Sequence, residues 1–173
     1  MVRSVRLAFV LAPVLALPAF ATTWTVDDNG PAQFTTVDAA QAAAQFGDVI
    51  LVAPGTYPAF HLTKSLQVLG PASGSPPHFS GTSTVVGPTL FTLAGLSLEV
   101  LQVSNVSGRG VIDECVMAAN NHAAVLKIAN CDSLVVTRCS ITGTQGYGGF
   151  EAAVEATDTW LEWSDNSVDR KSV

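Results

Sequence analysis

Asp113, Glu114 and Arg138 are the residues whose types come closest to a reactive site in this sequence. Carboxylate oxygens are the ligands that calcium prefers, but calcium takes six to eight of them. Two carboxylates beside a cation supply only part of such a shell. We favour the alternative, an ion pair between neighbouring repeats, which at a surface contributes only about 0–1 kcal/mol. We expect no other cofactor.

Aromatic side chains near the C-terminus provide a second kind of candidate site, because flat apolar rings suit stacking against a sugar. Trp163 has the register of an inward-facing residue, which favours packing in the core, whereas Trp160 falls in a turn. Tyr147 lies in a glycine-rich loop. Tyr147 and Trp160 are therefore the predicted platform for a ligand.

The three cysteines, Cys115, Cys131 and Cys139, do not have the spacing of a zinc site. There is no Cys-x-x-Cys motif, and the three histidines are scattered along the chain. An odd number of cysteines allows at most one internal disulfide and leaves one thiol over. The sequence does not tell which two would pair.

The first 21 residues have the features of a signal peptide. Two arginines precede the apolar run Leu7 to Leu17, and Ala19-Phe20-Ala21 has the small-x-small pattern of a cleavage site. Eleven apolar residues are too few to span a bilayer, although a short uncleaved anchor is the alternative. We expect cleavage before Thr22 and a secreted protein, extracellular or in the cell envelope.

The remaining 152 residues carry six bases and fourteen acids, a net charge of −8. Nucleic acids require a basic face, so this composition argues against a nucleic-acid partner. No later stretch approaches 18 consecutive apolar residues, so no transmembrane segment is expected. The abundance of Val and Leu also argues against a disordered chain.

One helix and a series of short strands are expected to position these residues. Thr35 has Asp38 three residues later, a capping-box arrangement that predicts a helix over Val37 to Phe46. Gly47 is placed to end that helix with a positive φ. A short strand at Trp24 to Val26 precedes it, and from Asp48 onward Val/Leu/Ile runs alternate with turn residues.

The strands repeat at a pitch near 25 residues, which predicts coils stacked on one another. Two charged columns support this register, because each places opposite charges on adjacent coils about 4.8 Å apart. The apolar repeats are Leu101-x-Val103, Leu126-x-Ile128 and Val154-x-Ala156, then Leu134-x-Val136 and Leu161-x-Trp163, with Cys115 matching Cys139. The charged columns are Gln102, Lys127 and Glu155, and Glu114, Arg138 and Asp165.

The acidic C-terminal stretch allows a second interpretation. Acidic residues recur every three or four positions from Glu151 to Asp169, as on one face of a helix. Six acids on one stripe would repel each other, however, and the Thr and Trp residues in between favour strands. We therefore expect strands here.

The segment from Phe34 to Gly70 resembles the opening of right-handed parallel β-helix proteins of the pectin-lyase-like superfamily. In that family a helix caps the open end of the coil stack. The resemblance implies an all-β fold: a right-handed parallel β-helix, or solenoid, of about five coils with an N-terminal capping α-helix. The expected organisation is a signal peptide over 1–21, a cap of a short strand and helix over 22–48, coils over 49–169 and a tail over 170–173. The segments that carry the resemblance are Phe34-Thr35-Thr36-Val37, Ala39-Ala40, Gly47 to Tyr57 with its Pro54-Gly55-Thr56-Tyr57 element, and Leu62 to Gly70.

The enzymes of this superfamily have motifs that are mostly missing here. Pectin methylesterases share a similar opening and use Gln-Asp-Thr-Leu and Asp-Phe-Ile-Phe-Gly, of which the chain has only a distant likeness in Cys131-Asp132-Ser133-Leu134. Pectate lyases use several aspartates on one sheet for calcium, with an arginine as base. The resemblance makes Asp113, Glu114 and Arg138 the weak catalytic candidates.

Two functions from different classes follow. The first, which we favour, is a secreted non-catalytic β-helix repeat protein of the cell surface or envelope, with extracellular polysaccharide as the expected partner. The alternative is a carbohydrate-active enzyme, a polysaccharide lyase or a pectinesterase-like esterase, or the N-terminal part of one. Because no capping segment follows Val168, we also expect either missing C-terminal coils or end-on self-association.

Overall fold

The structure is a computed structural model that describes residues 21–119, 124–144 and 153–171. This part of the chain contains fourteen β-strands and one α-helix. The strands are β1 (Thr23–Val26), β2 (Val49–Val52), β3 (Thr56–Pro58), β4 (His61–Leu62), β5 (Gln67–Leu69), β6 (His78–Val86), β7 (Leu90–Ala94), β8 (Ser97–Ser104), β9 (Arg109–Asp113), β10 (Val116–Ala118), β11 (Leu126–Thr137), β12 (Ser140–Thr144), β13 (Val154–Ser164) and β14 (Ser167–Lys171). The helix is α1 (Val37–Ala43).

All the strand pairs are parallel, and they form three columns that the chain visits in turn. The first column contains β1, β2, β5, β7, β9 and the second halves of β11 and β13. The second column contains β3, the first part of β6, the first part of β8, β10, β12 and β14. The third contains β4 and the remaining halves of β6, β8, β11 and β13. The fold is therefore all-β and solenoid-like.

The predicted register is confirmed where the columns can be compared. Leu101 pairs with Leu126 and Leu126 with Val154, while Leu134 pairs with Leu161. Successive side chains on a strand point to opposite faces, so one set lines the interior of the stack. Leu93, Ile112 and Val136, which follow one another in the first column, are fully buried. Apolar burial of this kind is the main favourable term for the fold.

Two rows of residues with positive φ mark the corners between columns. One row is Gly95, Glu114, Arg138 and Asp165, and the other includes Gly87, Asn105, Asn130 and Asp158. In the first row the backbone N–H of each residue donates to the carbonyl before the next member, as from Glu114 to Thr137 at 3.2 Å. This conformation turns the chain sharply between two strands, and non-glycine residues adopt it at some cost.

The N-terminal helix begins at Val37, as predicted, but its N-cap and its C-terminal end differ from the prediction. Its N-cap is Thr36, not Thr35, because the Thr36 hydroxyl accepts from the N–H of Ala39 at 3.3 Å. Asp38 does not complete a capping box but accepts from the N–H of His61 at 2.9 Å. The helix ends at Ala43, and the Lys64 ammonium donates to the carbonyls of Gln41, Ala42 and Ala44 at its C-terminal end. Gly47 has the expected positive φ, beyond the end of the helix.

Asp48 ties this helix to the first strands. Its carboxylate is 3% exposed and accepts hydrogen bonds from the Thr22 N–H (2.7 Å), the Trp24 indole (2.9 Å) and the Gln45 N–H (2.8 Å). The hydrogen bonds from Gln45 and Trp24 lower the pKa of Asp48. Burial of a carboxylate is tolerated here because donors surround it.

The acidic C-terminal stretch forms strands, as expected, since β13 and β14 occupy most of it. Trp163 pairs with the buried Val136, so its inward register is confirmed, yet its side chain is 37% exposed. Residues 1–20, which include most of the predicted signal peptide, lie outside the described part. Among the described residues, no helix has the length and apolar character needed to cross a bilayer.

Candidate functional site: an outer face of the first column

The charged cluster predicted from the sequence is assembled at the end of β9. The Arg138 guanidinium donates from Nε to Glu114 Oε1 at 3.1 Å and from Nη2 to Asp113 Oδ2. Arg138 lies one repeat after both carboxylates, because Asp113 pairs with Thr137. The predicted inter-repeat ion pair is therefore confirmed, and it gains a second carboxylate that was not part of the charged column. Arg138 pairs with these two acids rather than with Asp165.

Most of the charged groups in this cluster are already engaged with one another. The Nε and Nη2 groups of Arg138 are both engaged, and the arginine side chain is 53% exposed, so solvent screens the interaction. Asp113 Oδ1 is the exception: it is buried and has no hydrogen-bond partner. In the described part of the chain, no three His, Cys, Asp or Glu side chains form a group able to hold a metal ion. The expectation of no cofactor, with calcium as the alternative, stays a prediction.

A different set of exposed side chains crosses the stack along the edge where the first-column strands begin. Leu90, Arg109 and Ser133 pair in register on β7, β9 and β11. Trp160 lies one repeat beyond this line, at the register shift of β13 against β11, where it faces both Asp132 and Ser133 and has no single register partner. At the other end Phe46 lines a cavity together with Leu90 and Arg109. We call Phe46, Leu90, Arg109, Ser133 and Trp160 the edge row.

The edge row contains the most exposed large apolar side chains of the described residues. Trp160 is 75% exposed, Phe46 69% and Leu90 50%. Arg109 lies 4.0 Å from Glu162, the residue that follows Leu161 on β13. The row therefore has exposed apolar side chains at its two ends and a charged pair between them.

Two open cavities lie on the outer face of the same column. One, of about 310 Å³, is lined by Phe46, Gln67, Leu90, Thr92 and Arg109, among others. The other, of about 610 Å³, lies over β1, β2 and β5 and is mostly apolar, with Asp27 at its border. The face therefore has depressions on both sides of β5, and the edge row borders the smaller one.

The structure tests only one of the two residues predicted to form the ligand platform. Trp160 is exposed, and it lies within β13 at a shift of register rather than in a separate turn. Tyr147 lies outside the described residues. Phe46 and Leu90 were not singled out from the sequence, because each is an isolated apolar residue whose exposure depends on its neighbours in the stack. Their positions just before a turn glycine and at a strand start were the available signals.

Comparison of the chain with models of protein families, with curated proteins and with solved structures found no match.

Proposed function

We propose that the chain is a secreted, non-catalytic β-helix protein of the cell surface or envelope that binds an extended polysaccharide along the edge row. The observation that carries the proposal is the line of exposed side chains from Phe46 through Leu90 to Trp160. The line crosses successive strands spaced about 4.8 Å apart, so it presents an extended surface rather than a pocket. The apolar faces of the sugars in an extended polymer would pack on the rings of Phe46 and Trp160 and on Leu90. Its hydroxyl groups would bind the Arg109–Glu162 pair.

The proposed fold is a right-handed parallel β-helix of five full coils, similar to the pectin-lyase-like superfamily. The chain passes through the first, second and third columns in the same order each time, and each full passage makes one coil. This regular order supports the proposed β-helix. Parallel crossovers are right-handed in about 98% of cases. The helix α1 and the Asp48 hydrogen bonds cover the first coil, as the resemblance implies.

Export with cleavage before Thr22 is part of the proposal. The Thr22 nitrogen donates to Asp48 Oδ1 at 2.7 Å, and the Thr22 carbonyl accepts from Val49. Cleavage there would make that nitrogen an α-ammonium, converting the hydrogen bond into an ion pair with a shielded carboxylate. Mass spectrometry of the exported protein tests this: we expect Thr22 as the first residue, and an intact leader would contradict export by this route.

The binding experiment compares Trp160→Ala with Val116→Ala, a matched control whose exposed side chain (42%) lies in the second column. Affinity electrophoresis through polygalacturonate, xylan and β-glucan gels would detect binding. Loss of the Trp160 stacking, about 0.5–1.5 kcal/mol, should weaken binding roughly 2- to 13-fold. The control should bind like the unaltered protein. No retardation in any gel, or equal loss in both variants, would contradict the proposal.

The second candidate is a polysaccharide lyase or esterase, favoured by one observation: the buried Asp113 Oδ1 without a partner beside Arg138. Incubation with polygalacturonate in calcium-containing buffer would reveal eliminative cleavage as rising absorbance of the unsaturated product. Activity that is lost in Asp113→Asn but kept in Asp132→Asn would replace the first proposal by this one. We expect no cleavage, since Arg138 is held by two carboxylates and its guanidinium is not free to act as a base.

We also propose end-on self-association through β13 and β14. Trp163 and Val168 are exposed by 37% and 46%, although their register partners Val136 and Ile141 are fully buried. A second copy packed on these positions would shield them. Light scattering after size-exclusion chromatography should give a dimer mass that Trp163→Glu reduces to a monomer mass, and a monomer at all concentrations would contradict this part.

A further inference from the structure

Cys115 and Cys139 occupy the same position in successive repeats. Val116 and Ser140, the residues that follow them, pair in parallel register, and the Ser140 N–H donates to the Cys115 carbonyl at 2.9 Å. Each cysteine follows a residue with positive φ, Glu114 (50°) or Arg138 (51°). The two cysteines are therefore adjacent in the stack and leave the same corner in the same conformation.

Their side chains also have the same surroundings. Cys115 Sγ lies 3.3 Å from the carbonyl oxygen of Asp113, and Cys139 Sγ lies 3.2 Å from that of Thr137, two residues back in each case. Both side chains are buried, at 0% and 2% exposure. The shared register and the shared surroundings make the two side chains neighbours inside the stack, and each thiol donates to backbone carbonyls. The neighbouring thiol is the largest influence on the pKa of each cysteine, raising the pKa of Cys115 well above its ordinary value and lowering the pKa of Cys139.

The backbone spacing suits a disulfide. Paired strands lie about 4.8 Å apart, within the separation of about 4.4–6.8 Å that disulfides require between Cα atoms. Cys131 has no such partner. It lies at another corner, paired with Thr159, and its thiol faces the carbonyl of Ala129. Three cysteines thus divide into one adjacent pair and one isolated residue.

We propose that Cys115 and Cys139 form the one disulfide of the chain, which joins two successive repeats, and that Cys131 stays a thiol. The oxidant is a low-molecular-weight disulfide, such as oxidised glutathione, which acts before the corner is buried during folding. The Cys139 thiolate attacks one sulfur of the oxidant and expels one thiolate, which leaves a mixed disulfide. The Cys115 thiolate then attacks the Cys139 sulfur and expels the second thiolate. Two protein thiols lose two protons and two electrons, and the oxidant becomes two thiols.

The test uses the full chain, refolded in a glutathione redox buffer and then alkylated under denaturing conditions. Mass spectrometry should find one alkylated residue, Cys131, and a proteolytic digest should contain a Cys115–Cys139 cross-linked peptide that a reductant separates. The variant Cys131→Ser should keep the cross-link and show no alkylation. The variant Cys115→Ser should show two alkylated cysteines.

The digest of the unaltered protein decides the matter even if a variant folds poorly. Three alkylated cysteines after oxidative refolding, or a cross-link that includes Cys131, would overturn the proposal. A thermal midpoint that reductant lowers in the unaltered protein, but leaves unchanged in Cys115→Ser, would support a disulfide that restrains the folded stack.

Discussion

The two ends of the strand stack both have inward-facing valines, but these valines differ in how far they are exposed to solvent. Near the N-terminal end, the interior position Val52 on β2 is 2% exposed, with α1 packed beside the first strands. Near the C-terminal end, Val168 on β14 also faces inward, in line with Met117 and Ile141, and is 46% exposed. In a solenoid, alternation along a strand decides which way a side chain points, but the neighbouring repeat decides whether it is buried.

The polar groups at the two ends differ in the same way. Asp48 is buried at the N-terminal end and accepts three hydrogen bonds, two from the segment around β1 and one from the segment after α1. Asp165, in the corner between β13 and β14, is exposed. A carboxylate that is shielded from water must be satisfied by the protein, whereas water satisfies an exposed one. The first aspartate is therefore expected to matter for folding and the second to matter little.

The largest expected effect comes from matched valine truncations at the two ends. Val52→Ala removes buried apolar surface and should lower the free energy of unfolding by roughly 1.5–3 kcal/mol. Val168→Ala removes surface that is already half exposed and should cost less than about 1 kcal/mol. Urea denaturation followed by circular dichroism measures both values. Equal losses would mean that Val168 is covered in solution, which would favour self-association through β14.

The next effect is the loss of the Asp48 hydrogen bonds. Asp48→Asn replaces an acceptor of three donors by a neutral amide, and we expect a loss of about 1–3 kcal/mol in the free energy of unfolding. Asp165→Asn is the matched control and should change stability by less than about 0.5 kcal/mol. Urea denaturation at neutral pH compares the two, and similar losses would contradict the contrast between the ends.

The pH dependence gives a separate test of Asp48. Its folded pKa lies below its unfolded value of about 3.9, so its contribution is complete above that value and is lost as the pH falls through the folded pKa. Thermal midpoints measured from pH 6 down to pH 2 should fall less steeply in Asp48→Asn than in the unaltered protein. Parallel curves would show that Asp48 is not held ionised by its donors.

The smallest effect concerns the positive-φ rows, where the earlier members Gly87 and Gly95 are glycines and the later members are not. Asp165→Gly relieves a left-handed conformation with φ of 56° and should raise the free energy of unfolding by up to about 1 kcal/mol. Asp169→Gly, within β14, gains nothing from positive φ and should lower it by about 0.5–1 kcal/mol. Losses of the same size in both variants would show that the corner is not strained.

The repeat could be predicted because it depends on features that are local in sequence. Pairs of apolar residues separated by one position begin at Leu101, Leu126 and Val154, and their spacing along the chain is enough to align them. The same spacing aligns the opposite charges of Glu114 and Arg138. The helix start at Val37 was predicted correctly, but the N-cap was one residue off because Thr35 and Thr36 are both capable of capping, and only the hydrogen bond to Ala39 distinguishes them. Local chemistry was sufficient for the columns but not for the exact cap.

The candidate site was predicted less completely because its members come together only in three dimensions. Trp160 was predicted as a ligand residue because it is aromatic and was placed in a turn, but its position relative to Leu90 and Phe46 depends on the pairing of separate strands. The role of Asp48 was hidden for a related reason, since its donors are two backbone N–H groups and an indole that the sequence does not place around it.

The strictly neighbouring pairing of the strands has a mechanical consequence. Within residues 21–119, 124–144 and 153–171, each strand is hydrogen-bonded to strands one repeat before or after it. A pulling force along the stack would therefore load one interface at a time. Detaching one repeat of about 25 residues would lengthen the chain by roughly 80–90 Å. The proposed Cys115–Cys139 disulfide would interrupt this sequence of steps, because it would hold two adjacent repeats together while the repeats beyond them detach.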